Sequence, residues 1–135
     1  FKKIKEILNS IKIDVIIFED YNKGVLTPYL IDNTINEAIK RGIPTSVDPK
    51  KTNFFAYNRV TLFKPNLKEF VEGLKLNETP DTPQLWEDGL AQLRSRINHR
   101  FTFVTLSEKG VLIEDKGSVF FYPAHLRNIA DVSGA

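Results

Sequence analysis

Val15-Ile16-Ile17-Phe18-Glu19-Asp20 is the stretch on which the fold turns. Its four apolar residues are too few for a helix, and no polar residue interrupts them. Such a run suits a strand buried on both faces of a parallel sheet. A helix start follows at Thr27-Pro28, where a hydroxyl serves as N-cap and proline takes the first helical position. Leu30, Ile31, Ile35, Ala38 and Ile39 supply the apolar face of this helix, and Arg41-Gly42 ends it. Thr45-Ser46-Val47 then reads as a second strand.

The same alternation extends outward. Upstream, Phe1, Ile4, Ile7, Leu8 and Ile11 fall at helical spacing. Downstream, Val60-Thr61-Leu62-Phe63 and Phe101-Thr102-Phe103-Val104-Thr105 read as strands, with helices expected at 66–74 and 83–97. The second of these begins at Thr82-Pro83 and carries Trp86, Leu90, Leu93 and Ile97 on one stripe. Val111-Leu112-Ile113 and Val119-Phe120-Phe121-Tyr122, joined through Asp115-Lys116-Gly117, read as a hairpin. Strands alternating with helices imply parallel pairing through right-handed crossovers. The expected class is therefore α/β: an open, mostly parallel, Rossmann-like sheet with helices on both faces and a late antiparallel hairpin.

Composition narrows the function. The 135 residues form one domain at most, long enough to bury roughly two thirds of the unfolded surface. A net charge of +2 is too small to argue for nucleic acid, and no apolar run approaches the ~20 residues of a membrane span. The absence of cysteine excludes a disulfide scaffold and a thiolate metal site, and fits a reducing compartment such as the cytoplasm. His99 and His125 have no partner at ligand spacing, so neither a histidine metal site nor a triad is indicated. Trp86 and the phenylalanines read as core.

Ligands of open α/β sheets bind at the carboxyl ends of the strands. Here those ends run into Glu19-Asp20-Tyr21-Asn22-Lys23-Gly24, Asp48-Pro49-Lys50-Lys51, Lys64-Pro65-Asn66-Leu67-Lys68-Glu69 and Ser107-Glu108-Lys109-Gly110. Lysine neutralises phosphate as a point charge, and carboxylates hold Mg²⁺ directly or through water. Each motif also has a plainer reading. Asn66-x-x-Glu69 is a good capping box, Asp48-Pro49 a strand-terminating turn, Lys23-Gly24 a turn with a solvated lysine, and Ser107 to Gly110 a connection between strands. The chain closes on Asp131-Val132-Ser133-Gly134-Ala135, which reads as the start of a glycine-rich phosphate loop before a helix. With Phe1 at the other end and no methionine, the chain is expected to be an internal piece of a longer enzyme.

Taken in order, Asp20-Tyr21-x-Lys23-Gly24, Asp48-Pro49-Lys50, Lys64-Pro65-Asn66-x-x-Glu69, Thr105-x-Ser107-Glu108-Lys109-Gly110 and Asp131 to Ala135 resemble the ribokinase-type carbohydrate kinases. Within that family they are most similar to the kinases of bacterial ADP-heptose and lipopolysaccharide core synthesis, which phosphorylate C1 of D-glycero-β-D-manno-heptose 7-phosphate. The resemblance implies the central part of a single ribokinase-like domain over residues 1–135, without the N-terminal lid and the C-terminal catalytic segment. It implies ATP and Mg²⁺ as cofactors and a sugar phosphate as substrate, with no nucleic acid or membrane partner and a homodimeric parent. Asn66, Leu67, Lys68 and Glu69 match the motif that binds ATP phosphates, with Glu69 holding Mg²⁺ through water. Ser107, Glu108 and Gly110 match a stretch that lies along the nucleotide, and Gly134 and Ala135 match the first half of the anion hole. Asp20, Lys23, Asp48 and Lys50 match positions on the active-site rim. The family's catalytic base is expected just after Ala135, so the chain alone is expected to be inactive. The alternatives are another sugar kinase of the family, acting on fructose or ribose, or a non-catalytic nucleotide- or phosphosugar-binding module.

Overall fold

Local chemistry sets the helix starts. Thr27 Oγ1 accepts the Leu30 N–H at 3.2 Å, and Thr82 Oγ1 accepts the Leu85 N–H at 3.3 Å. Each threonine is followed by a proline that contributes no unpaired donor. In the computed structural model, which describes residues 1–125, the order is α1 (Lys2–Ser10), β1 (Ile16–Glu19), α2 (Pro28–Lys40), β2 (Thr45–Asp48), β3 (Leu62–Phe63), α3 (Leu67–Leu74), α4 (Pro83–Arg96), β4 (Phe101–Thr105), β5 (Val111–Asp115) and β6 (Ser118–Tyr122). Short 3₁₀ turns occupy Lys51–Asn53 and Ser107–Lys109.

The six strands lie side by side in chain order. β1 to β4 are parallel, and β5 and β6 continue the sheet antiparallel. This is the expected open, mostly parallel sheet with a hairpin at its end. The hairpin turns through Lys116 and Gly117, at φ 48° and 87°. Two positive φ angles in succession match the twist of the flanking strands, as in a type I′ turn.

Register explains where the core sits. Phe18, Val47, Phe63, Thr102 and Glu114 are successive partners across the sheet and point to one face. All five are buried. Phe18, Val47 and Phe63 pack in one core with Ile31 and Ile35 of α2, Phe70 and Leu74 of α3, and Leu90 and Leu93 of α4. Each fully buried side chain of this size contributes ~1.5–3 kcal/mol before entropy is counted. The opposite row of Ile17, Ser46, Leu62 and Phe101 is half-buried or exposed, with Ile17 62% accessible. The core is thus unequally shared between the two faces of the sheet.

Three local expectations shift. The strand expected at Val60–Phe63 shortens to Leu62–Phe63, because only those residues pair with β2 and β4. Residues 51–60, which carry no helical or strand period, nevertheless send Phe54, Tyr57 and Val60 into the core. A Cβ on Gly73 would come within 2.5 Å of the Phe54 ring, so α3 needs a glycine where this loop crosses it. In α1 only Leu8 is buried; Ile7 and Ile11 are exposed, as is Ile39 of α2. Arg41 fastens α1 to α2 by donating to the Leu8 carbonyl at 2.8 Å while pairing with Glu37 at 2.7 Å.

Candidate active site

Because β1 to β4 are parallel, the residues that leave their carboxyl ends collect on one edge. Glu19 is the register partner of Asp48, and Asn66 forms an isolated parallel bridge with Thr105, two residues before Ser107. Asp20, Asp48, Asn66 and Ser107 therefore share an edge.

Asp20 is 4% exposed and is the most heavily bonded side chain there. Its carboxylate accepts the Asn22 N–H at 2.8 Å, Asn53 Nδ2 at 3.0 Å and the Tyr57 hydroxyl at 2.7 Å. Burial by itself would raise the pKa of this group. The bonds from Tyr57, Asn22 and Asn53, with the charge of Lys50, outweigh that and hold it below the usual carboxylate range. Tyr57 responds in the other direction: burial first, then the Asp20 carboxylate, push its phenol far above the ordinary range. The bond to Asn22 closes an Asx turn that accommodates φ 54° at Asn22. Asn53 also donates to the Leu26 carbonyl at 2.9 Å, so both ends of the loop after β1 are tied to the 51–57 segment.

Lys50 stands at the centre of the edge. Its ammonium donates to Asp48 Oδ1 at 3.2 Å and to Glu69 Oε1. Lys64 approaches the other Asp48 oxygen at 3.9 Å. Burial alone would depress the Lys50 pKa, but its bonds to Glu69 and Asp48 raise it, so this lysine stays charged. The two oxygens of Glu69 do different jobs. Oε2 accepts the Asn66 N–H at 2.9 Å, while Asn66 Oδ1 accepts the Glu69 N–H at 2.8 Å, completing the expected capping box of α3. Oε1 is left for Lys50. Lys50, Asn66 and Glu69, with Tyr21, Asn22, Lys51, Lys68 and Glu72, line an open cleft of about 450 Å³.

The turn after β4 is tight. Ser107 has φ 54°, the Leu106 N–H reaches the Gly110 carbonyl at 2.8 Å, and the Gly110 N–H returns to Ser107 at 3.1 Å. Gly110 has φ 109°, and a Cβ there would lie 2.0 Å from the Tyr122 carbonyl oxygen. No other residue fits. Glu108 is exposed; its own backbone N–H, then the Ser107 hydroxyl, lower its carboxyl pKa.

The remaining candidates are less engaged or lie elsewhere. Leu67 packs against the core, so only its backbone is available to the cleft. Lys68 is exposed and pairs with Glu72 at 4.0 Å. Lys23 borders a different and larger cleft of about 720 Å³ along β1, lined by Ile4, Ile7, Ile17, Val25 and Leu26 among others. Gly134 and Ala135, with the rest of the closing motif, lie outside the described residues. Sequence reading missed Asn53 and Tyr57, which are 33 and 37 residues from Asp20. The only available signal was an aromatic cluster at Phe54, Phe55 and Tyr57 in a segment without period.

The donor set fits a nucleotide with a hard cation. Among the described residues no three His, Asp or Glu side chains converge as a protein-only metal cage. Mg²⁺ is commonly held by one or two carboxylates plus substrate phosphates, and Glu69 Oε1 is a carboxylate oxygen free of backbone duty. Lys50 and Lys64 carry the charge that phosphate oxygens require.

No family model matches the chain. Against curated proteins it is 33% identical to the bifunctional protein HldE of Campylobacter curvus over 136 residues, covering 99% of this chain and 28% of that protein. It is 38% identical to HldE of Bradyrhizobium diazoefficiens, covering 99% and 27%. The chain thus spans about a quarter of the length of these relatives. Among solved structures, Escherichia coli phosphofructokinase-2 with fructose-6-phosphate superposes with a TM-score of 0.73 at 17% identity, covering 98% of this chain and 45% of that one. Arabidopsis thaliana ribokinase with ribose and ATP gives 0.65 at 13%, covering 82% and 35%. Similar to HldE along its length and sharing the fold of phosphofructokinase-2 and ribokinase, the chain belongs to the ribokinase-type carbohydrate kinases.

Proposed function

We propose that the chain forms the nucleotide-facing centre of an ATP- and Mg²⁺-dependent sugar kinase that phosphorylates C1 of D-glycero-β-D-manno-heptose 7-phosphate. The observation that carries this reading is the convergence of Lys50, Glu69 and the Asn66 cap on one cleft, beside the Ser107 turn. The similarity to HldE along the whole chain supports the heptose substrate over other sugars. When bound, Mg²⁺ would neutralise charge on the transferring phosphoryl group. Asn66 would hold the first turn of α3 in place beside the phosphates, and Lys50 would supply positive charge. Ser107, Glu108 and Gly110 would lie along the nucleotide. The catalytic base and the anion hole that begins at Gly134 and Ala135 would be completed by sequence beyond Ala135. The reading puts the reaction in the cytoplasm, in a homodimeric parent. Among the described residues no helix is long and apolar enough to cross a membrane.

Nuclear magnetic resonance titration of the chain with ATP and Mg²⁺ tests the nucleotide site. Amide shifts centred on residues 48–51, 64–69 and 107–110 are expected. Shifts elsewhere only, or none at millimolar ATP, would remove the kinase reading. Assay of the longer protein against heptose 7-phosphate and fructose 6-phosphate separates the two substrates.

A further inference from the structure

Resting on the kinase reading, we propose that Lys50 is an exchangeable counter-ion: it occupies the Glu69 carboxylate while the cleft is empty, and an incoming phosphate draws it away, freeing that carboxylate for the cation. Nucleotide and cation binding are thereby coupled through one lysine.

The geometry favours the exchange. Glu69 Oε2 already accepts the Asn66 N–H, so Oε1 is the oxygen less committed to the backbone and the readier approach for a cation or cation-bound water. The Lys50 ammonium is already bonded to Oε1. Two cations at one carboxylate oxygen repel, so a lone divalent ion must compete with Lys50. A phosphate changes the balance, because its oxygens offer the ammonium a stronger partner than a shared carboxylate does. Lys50 is placed to make the move: its side chain is 36% exposed and lines the cleft. Its second partner, Asp48, is also held by Lys64, so Asp48 keeps a counter-charge after Lys50 leaves.

Formal charge gives an unusual signature. Lys50 and Lys64 balance Asp48 and Glu69. Lys50→Gln leaves the group one unit negative, which favours a lone cation and disfavours a phosphate. The same substitution should thus strengthen one ligand and weaken the other. A lysine that only braces the fold, away from both ligands, would shift both the same way or neither.

The test uses Mn²⁺ line broadening of the Asn66 to Glu69 amides, without nucleotide, and a separate ATP titration. Lys50→Gln is expected to broaden at about tenfold lower Mn²⁺ and to need about tenfold more ATP, an ordinary size for coupled sites. Asp48→Asn, which loosens Lys50 from its other anchor, should bind ATP more tightly and leave Mn²⁺ weaker. It also keeps the idea testable should Lys50→Gln fail to fold. Parallel shifts in both affinities, or no change in either variant, overturn the exchange while leaving the kinase reading intact. Failure of the wild-type chain to bind ATP overturns both.

Discussion

At the scale of single residues, the edge of the sheet separates groups that build the site from groups free to act in it. Asp20 is committed by its three hydrogen bonds. Asp20→Asn leaves an amide where Asn22, Asn53 and Tyr57 all donate, and should cost about 1–3 kcal/mol in urea unfolding. Because the folded pKa lies below its ordinary 3.8, this stabilisation is fully present above pH 3.8. It is lost as pH falls through the folded value. The gap between wild type and Asp20→Asn should therefore close in acid; a gap constant down to pH 2 would contradict this. Glu69 is only half committed. Glu69→Gln keeps the cap, since glutamine also serves at that position, and stability should change by less than about 0.5 kcal/mol, because the lost pair with Lys50 is partly exposed. With ATP present, the Mg²⁺ concentration at half-saturation should nevertheless rise about tenfold. An unchanged Mg²⁺ titration would leave Glu69 as a cap alone.

At the scale of elements, α4 is locked to the β4–β5 pair by a buried polar chain at the end of the sheet away from the cleft. Glu114, 1% exposed, accepts Arg94 Nη1 at 2.7 Å, the Thr102 hydroxyl at 2.8 Å and the Gly117 N–H at 3.0 Å. Thr102 Oγ1 lies 2.6 Å from His99 Nε2, and His99 Nδ1 lies 2.9 Å from the Ile97 carbonyl. This accounts for His99, which sequence spacing left without a role. Burial lowers the His99 pKa, against the pull of the Ile97 carbonyl and Glu114. The unfolded chain then binds a proton more readily than the folded one. Stability should fall as pH drops below about 6.5 and level off once the folded imidazole is charged. His99→Gln should flatten that slope between pH 7 and 5 in thermal unfolding; an identical slope would show that another group titrates there.

At the scale of the whole molecule, the carboxylates Asp20, Asp48 and Glu69 on the sheet edge are already engaged. Asp20 is buried under three donors, Asp48 lies between two lysines, and Glu69 is shared by a cap and Lys50. None is placed to take a proton from a sugar hydroxyl. The 135-residue chain is therefore expected to bind ATP weakly and to transfer no phosphate to heptose 7-phosphate. General-base catalysis is typically worth ~10²–10⁴ in rate, enough by itself to bring turnover below detection. A coupled assay for ADP release checks this, and robust turnover would require a base within the chain that the described geometry does not identify.

What is local could be read from the residues alone. The Thr27-Pro28 and Thr82-Pro83 helix starts, the Asn66–Glu69 box and the Lys116-Gly117 hairpin depend on residues a few positions apart. The shared edge of Asp20, Asp48, Asn66 and Ser107 was legible because each stands at or just after the end of a strand, and parallel strands bring their carboxyl ends together. Pairings across long stretches of chain leave no period to read. Only the tertiary structure decided that Lys50 meets Glu69, 19 residues on, and that Tyr57 and Asn53 close over Asp20. It also decided that the aperiodic 51–60 segment fills the core through Phe54, Tyr57 and Val60. The physical reason is the same in each case: caps and turns are fixed by bonds within one turn of chain, whereas the state of a charged group is fixed by whatever the fold sets beside it.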